Sequence, residues 1–299
     1  MKARLTTFEE YRDNIAEYKA RGGAAKGLST GWYALDEFAM LKKGLLNVVT
    51  GSPSSGKSEL LDQLMLQTIA LHDWHWTVFS PENWPIENHF QKLAEKWEGR
   101  PLFGWPDMPG LDSTNIALTI SDLSQNIHFI DPPEDDLTIE PILEALRESV
   151  REHKTDAFIL DPWNELEHNR PHNMSETEYI GQALTKLRNF ARRNNVDVFL
   201  VAHPTKLQKD DDGNYPVPTP YDISGSSNWF NKADMCWSVW RNYTANDGVV
   251  QVHIQKVRNK NLGQLGMAQL FWHRATGLFL DERVGNDKLN GHAIKLRVQ

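Results

Sequence analysis

One cysteine, Cys236, stands among 299 residues. It excludes an intrachain disulfide and any metal site built on several cysteines, and it suits a reducing compartment. No apolar run approaches the roughly 18 residues that a membrane-crossing helix needs, and no secretory leader is visible. The expectation is a protein of the cytoplasm with no membrane partner. Internal repeats and low-complexity blocks are missing too, which sets aside solenoid and disordered architectures. Positive charge is scarce: 32 lysines and arginines against 40 aspartates and glutamates leave a formal net charge of −8. That balance argues against a surface broadly coated with nucleic acid and leaves room for a local basic groove, such as the inside of a ring. The hydrophobic share of 40% supports an ordinary globular core, as one large α/β domain or two small ones. The 11 tryptophans fall mostly in apolar runs and are expected to be core.

The stretch that organises the rest is Gly51-Ser52-Pro53-Ser54-Ser55-Gly56-Lys57-Ser58. It fits G-x-x-x-x-G-K-[ST], the phosphate-binding loop. Its glycines let the backbone curl so that successive N–H groups face one anion, and the helix that follows adds the positive end of its dipole. Lys57 brings a point charge to the β- and γ-phosphates, and the Ser58 hydroxyl is placed to ligate Mg²⁺. The context agrees. Leu45–Thr50 is a short apolar run suited to a buried parallel strand, and Leu60, Leu61, Leu64, Met65 and Thr68 recur at helical spacing. With the adjoining Glu59, residues 51–58 are the expected cradle for a nucleoside triphosphate.

Residues 7–21 predict an amphipathic helix, with Thr7 and Glu10 at capping-box spacing and Phe8, Tyr11, Ile15 and Tyr18 in one stripe. That stripe either covers the chain's own core or straps onto a neighbouring subunit. Thr77–Ser80 reads as a second strand ending at Pro81-Glu82-Asn83. A carboxylate just past a strand end of a doubly wound sheet lies where ligands bind, so Glu82 is a candidate to polarise the attacking water. Residues 85–98 read as helix, while 99–126 carry no clear pattern. Ile127–Asp131 and Ala157–Asp161 both read as apolar strands ending in Asp-Pro, and either aspartate can serve the Mg²⁺. Asp161 is favoured, since a clean helical stretch (138–153) precedes it and its strand is the more apolar. A helix from Ser175, with a capping box to Glu178, runs to Asn194, and Val196–Ala202 is a strand ending at His203. Residues 204–224, with Lys206, Lys209 and several prolines, form a loop long enough to imply a function. Met235–Trp240 and Val249–Val257 read as strands, Met267–Phe271 and Leu278–Leu280 as a terminal hairpin. Residues from 284 on are polar and expected to be mobile.

Taken together, Leu28–Leu35, the phosphate loop, Phe79–Asn83, Ile159–Asn164, Val201–Pro204 and Asp222–Ser226 resemble the RecA-like motor domain of hexameric replicative DNA helicases. The resemblance is nearest to the Twinkle and phage primase–helicase branch, with DnaB-type helicases further off. It runs over about residues 27–282 and rests on the order of motifs that are individually modest. It implies a RecA-like P-loop fold: a doubly wound, mostly parallel α/β sheet with a C-terminal hairpin over 27–283, an N-terminal linker helix in 1–26 and a polar tail in 284–299.

The same resemblance implies roles. Glu82 matches the catalytic glutamate, and Asp161, rather than Asp131, matches the Mg²⁺ aspartate. His203 matches the γ-phosphate sensor. Lys256 and Arg258 match a basic pair that reaches into the next subunit's ATP site. Arg241 and Trp272 match contacts to base and sugar, and 204–224 matches a loop that binds DNA in the central channel. The implied protein is an ATP- and Mg²⁺-dependent helicase motor that forms a ring, hexameric in the family's manner, and moves on single-stranded DNA. Primase, polymerase or a loader are the implied partners, and a phage origin, in the host cytoplasm, fits the branch. Relatives often carry a primase-like or helical region ahead of the motor, and no such region is read in the residues before 27. Ser224-Gly225-Ser226 lacks an arginine that some relatives carry there. Two other readings stay open at this level: a RecA-like DNA-binding filament, and a P-loop kinase for a small molecule. The kinase would need an arginine-rich lid after Asp161, and none is seen.

Overall fold

The structure is a computed structural model that describes residues 4–20, 22–23, 26–131, 137–168, 170–225, 227–245, 247–285 and 292–297. Among the described residues nine strands form one sheet: β1 (Leu46–Gly51), β2 (Trp76–Phe79), β3 (Ile127–Phe129), β4 (Ala157–Leu160), β5 (Asp197–Val201), β6 (Met235–Trp240), β7 (Val249–Val257), β8 (Gly266–Trp272) and β9 (Phe279–Leu280). Their order is β3-β2-β4-β5-β1-β6-β7-β8-β9. The first six in that row are parallel, and β7, β8 and β9 return antiparallel. The likeness to a doubly wound sheet closed by a hairpin is thus met.

Parallel strands buried on both faces read as continuous apolar runs, and β1 is buried at all six of its residues. Alternation along the strands feeds two cores. Phe158, Leu160, Val198 and Leu200 face α6 (Ile139–His153) and α7 (Glu176–Asn194). Ile159, Phe199 and Val201 face the other layer, with α3 (Lys57–His72) and α4 (Ile86–Glu98). Seven tryptophans, at 32, 74, 76, 97, 163, 229 and 237, are buried as expected. Buried indoles keep a partner for their N–H: Trp76 donates to Thr68 Oγ1 at 2.8 Å, and Trp32 to the Phe279 carbonyl at 2.8 Å.

Three expectations change. The first helix begins as a 3-10 turn over Phe8–Tyr11 and continues as α1 (Arg12–Ala20), ahead of the one-turn α2 (Tyr33–Asp36), and none of the first helix's residues is buried. Its stripe therefore does not cover the chain's own core: Phe8 is 85% exposed and Ile15 48%. Residues 113–124 form a helix, α5, that the sequence did not announce. Part of the polar tail is packed. Ala293 and Ile294 are buried, Lys295 pairs with Glu98, and Arg297 donates to Gly31 O at 2.9 Å and Gln67 Oε1 at 2.7 Å. Two apolar residues among polar ones suffice here because Gly99 leaves room: a side-chain carbon there would lie 3.0 Å from the Ala293 backbone.

Candidate nucleotide-binding site

The phosphate loop joins the end of β1 to the start of α3, at the centre of the sheet. Two glycines are required there. A Cβ on Gly51 would lie 2.4 Å from the Val239 carbonyl of β6, and Gly56 holds φ at 99° against the Phe279 ring. Lys57 is buried and donates to the carbonyls of Gly51 at 3.0 Å and Ser52 at 3.1 Å. Burial pulls its pKa down, while the charges of Asp161 and Glu82 oppose that pull.

Four neighbouring strands, β2, β4, β5 and β1, bring their C-terminal ends to this loop. Glu82 lies in the short 3-10 helix after β2, exposed toward the cleft. Asp161 follows β4, is 3% exposed and accepts a hydrogen bond from Ser58. Burial pushes its carboxyl up to about 6, with Asp62 and Glu82 adding to the rise and Ser58 and Lys57 opposing it. The rival, Asp131, follows β3 at the sheet's edge and is exposed. His203 follows β5. Its backbone N–H donates to Asn164 Oδ1 at 3.0 Å, and burial, then the charge of Lys57, lowers its pKa.

Lys57, Ser58, Glu82 and His203 line a cleft of about 460 Å³ with Arg241, Trp272, Arg274 and Phe279 on its far wall, and Asp161 reaches it only through Ser58. A second hollow of about 340 Å³ continues from it past Tyr243 and Gly248. The Arg241 guanidinium stacks 5.0 Å over the Tyr243 ring, and Tyr243 holds the Pro53 carbonyl. The buried hydroxyls of Ser52 and Ser55, His203 Nε2 and Arg241 Nε have no hydrogen-bond partner among the described residues. Buried polar atoms are normally satisfied, so four orphans around one cleft fit a polar ligand that supplies acceptors and donors. The Ser58 and Asp161 oxygens are the hard donors that Mg²⁺ takes. Among the described residues no group of three or more histidine, cysteine or acidic side chains is placed to hold a metal unaided. Mg²⁺ shared between few protein oxygens and substrate phosphates fits that arrangement.

Sequence reasoning missed part of the wall. Glu59 does line the cleft, and its carboxylate engages Lys96 and, at 3.3 Å, Lys92. Lys92 also donates to Asn83 Oδ1 at 2.9 Å, tying α4 to the turn that carries Glu82. The four-residue spacing of Lys92 and Lys96 on one helix face was the available signal. Asn164 closes the Ile159–Asn164 stretch that carries the resemblance, but no role is read for it there.

A family model described as the DnaB-like helicase C-terminal domain matches residues 27–281. The chain belongs to that family. It is 37% identical over 290 residues to the Twinkle homolog protein, chloroplastic/mitochondrial, of Arabidopsis thaliana, a match that takes in 94% of this chain and 40% of that protein. It therefore spans less than half the length of this curated relative. Among solved structures, one ATPase domain superposes with a TM-score of 0.75 at 20% identity, covering 94% of this chain and all of that one. A DnaB-like replicative helicase, solved in work on its interactions with primase, gives 0.73 at 20% identity and covers 92% and 68%. The RecA-like fold of this family is accordingly the fold of the chain.

Lys256 and Arg258 are not in the cleft. Because β7 runs against β6, Lys256 pairs with Cys236, whereas Gly51 pairs with Val239. Three register steps place Lys256 about 10 Å below the phosphate loop. Arg258, whose N–H donates to the Asp234 carbonyl, lies about five steps down, roughly 16 Å. Its guanidinium donates to the carbonyls of Asn231 at 2.8 Å and Ala233 at 3.3 Å and pairs with buried Asp234. The 204–224 loop keeps its ends together through a Pro204–Ile223 bridge and leaves Lys206 and Lys209 exposed. Ser226 lies outside the described residues. No described helix is long and apolar enough to cross a membrane.

Proposed function

We propose that the chain is the ATP-hydrolysing motor of a ring-forming replicative DNA helicase that moves on single-stranded DNA. The observation that carries this is the division of its cations. One end of the sheet holds the phosphate loop, Glu82, Asp161 and His203, and the opposite end presents Lys256 and Arg258. A subunit stacked against its neighbour head to tail joins the two ends into one site. The uncovered stripe of α1 supports assembly, since its apolar side chains are left unburied by their own chain. Of its two readings, the strap onto a neighbouring subunit is the one kept.

In this reading the phosphate-loop N–H groups and Lys57 hold the triphosphate, and Arg241 and Trp272 face the base and sugar. Ser58 and Asp161 would hold Mg²⁺, which supplies charge neutralisation at the transferring phosphoryl group. Glu82 accepts the proton of the attacking water. His203, low in pKa and unpaired at Nε2, presents a neutral ring to the γ-phosphate and connects it to the 204–224 loop that follows it. Arg258 from the neighbour stabilises the transition-state charge. Lys206 and Lys209 contact DNA phosphates. A primase partner is proposed from the DnaB-like helicase above, which was solved for that interaction. The plant relative's name gives chloroplast and mitochondrion, so location in the cytoplasm rests on the sequence expectation alone. The kinase and filament readings are not favoured by a family of helicase domains.

The test is complementation. Lys57→Ala and Arg258→Ala should each lose on the order of 10²-fold or more in ATPase rate as pure proteins. Mixed, they should recover part of it near equal proportions, because an Arg258→Ala subunit offers an intact phosphate loop to a neighbour's intact Arg258. Co-assembly shown by native mass without any recovery would refute the shared site.

A further inference from the structure

The DNA-side loop and the cations at the far end of the sheet meet on one short helix, α8 (Asn228–Lys232). The end of the loop packs on it from one side. Tyr221 stacks on Phe230 with ring centres 5.0 Å apart and planes 24° from parallel. The buried Trp229 donates from its indole nitrogen to the Ser224 carbonyl at 2.9 Å. Lys256 places its ammonium 4.6 Å from the centre of the Phe230 ring and donates to the Phe230 carbonyl. Arg258 donates to the carbonyls of Asn231 and Ala233, so the last turn of α8 is the acceptor for both cations. Gln255 adds a cross-link, donating to the Pro218 carbonyl at 2.9 Å.

Lys256 and Tyr221 therefore share one ring, that of Phe230, the first through its ammonium and the second through its own ring. A cation is attracted to an aromatic face and not to an aliphatic surface of the same size, so Phe230 fixes where the ammonium rests before a neighbour's phosphate competes for it. Tyr221 is 59% exposed and belongs to the loop through which DNA would act, so a shift of the loop changes the ring beneath the cation.

We infer that Phe230 is a positioning residue for Lys256 and that Tyr221 makes this position depend on the state of the 204–224 loop. Single-stranded DNA on one subunit's loop then adjusts the cations that this subunit presents to the next subunit's ATP. The inference rests on the functional reading above. Two arrangements of one packed element, each favoured by a different site, are the physical requirement for such coupling, and α8 is the element both sites touch.

The experiment measures the maximal ATPase rate of the assembled protein at saturating oligo(dT), relative to the rate without DNA. Phe230→Leu keeps apolar volume and loses the ring. It should lower the stimulated rate by about fivefold, the equivalent of about 1 kcal/mol for a partly exposed cation–ring contact. Phe230→Tyr should keep the stimulated rate within about twofold of the parent, since it retains the ring face. Tyr221→Leu and Tyr221→Phe, on an exposed position that cannot unfold the core, should repeat the pattern. The oligo(dT) concentration for half-maximal stimulation should stay put for the Phe230 variants. Mixing Phe230→Leu with Lys57→Ala should restore stimulation, because the second variant supplies an intact Lys256 to the first one's phosphate loop. If leucine and aromatic variants behave alike, or if co-assembled mixtures show no recovery, the inference is wrong and the motor reading stands. If the unaltered protein shows no stimulation by DNA, the motor reading falls and takes the inference with it.

Discussion

Asp161 offers a stability test that needs no substrate. Its carboxyl is 3% exposed, and burial raises its pKa from 3.8 to about 6 in spite of the Ser58 hydrogen bond and the Lys57 charge. A carboxyl that binds its proton more tightly when folded costs stability wherever the folded state must ionise it. The cost is fully present above pH 6, shrinks as pH falls through the folded pKa and vanishes below the unfolded one. At 1.36 kcal/mol per pKa unit it comes to about 3 kcal/mol at pH 8, about half of that at pH 5 and well under 1 kcal/mol at pH 4. Asp161→Asn keeps the shape and an acceptor for Ser58 while removing the charge. In the absence of nucleotide and divalent cation, the variant should be the more stable protein at pH 8, by up to about 3 kcal/mol or about 5 °C in Tm. The gain should fade toward pH 4. Denaturant titration at pH 8, 5 and 4 reads this directly. Addition of ATP with Mg²⁺ should reverse the order at pH 8, since only the parent offers the carboxylate oxygen to the cation. A variant no more stable than the parent at pH 8, or a gain independent of pH, would refute the buried-carboxylate argument.

Glu82→Gln should retain ATP and slow its hydrolysis by about 10²-fold or more, because a water-activating base is lost while the cleft is unchanged. Fluorescent-nucleotide binding beside single-turnover hydrolysis checks it, and failure to bind nucleotide would make Glu82 structural. Replacing both Lys206 and Lys209 with alanine should weaken binding to single-stranded DNA and reduce the slope of log K against log salt by about 1.4, at about 0.7 per lost phosphate contact. A parallel loss of nucleotide binding would assign the loop a folding role instead.

Much of the cleft was legible because its signals are local. The phosphate loop is a fixed spacing between a strand and a helix, and Glu82 and His203 are simply the polar residues after two apolar runs. The choice between Asp131 and Asp161 is different in kind. Both follow a strand and precede a proline, and the local pattern ranks them only through the cleaner helix and more apolar strand ahead of Asp161. Sheet order separates them: β4 lies between β2 and β5 and ends beside Ser58, whereas β3 is the outer strand. The far wall of the cleft was only partly legible for the same reason. Arg241, Trp272 and Arg274 belong to β6 and β8 or follow them, and strand pairing alone carries them over the phosphate loop. Helix α5 escaped because Leu118 and Ile120 are 56% and 49% exposed, so its apolar residues do not form the single buried stripe by which a helix is recognised.

The reversal at β7 governs more than the wall. In a parallel continuation of the sheet, a basic pair at the end of that strand would have risen to the same edge as Gly51 and served its own nucleotide. Running antiparallel, β7 instead starts level with the cleft, at Val249 and Val250, and delivers Lys256 and Arg258 to the opposite edge. One strand thus gives part of the far wall of a subunit's own pocket and, at its other end, cations directed away from it. Side-chain reach does not undo this. An arginine extends about 7 Å from its backbone, against the roughly 16 Å of strand between Arg258 and the level of Gly51. Asp234 also draws Arg258, with Arg188 at 2.8 Å and Arg192 at 3.4 Å, into one cluster at that far edge. On the proposed function, a charge so placed acts across a boundary between copies, on a neighbour's nucleotide, while Asp234 fixes it at the edge of its own sheet.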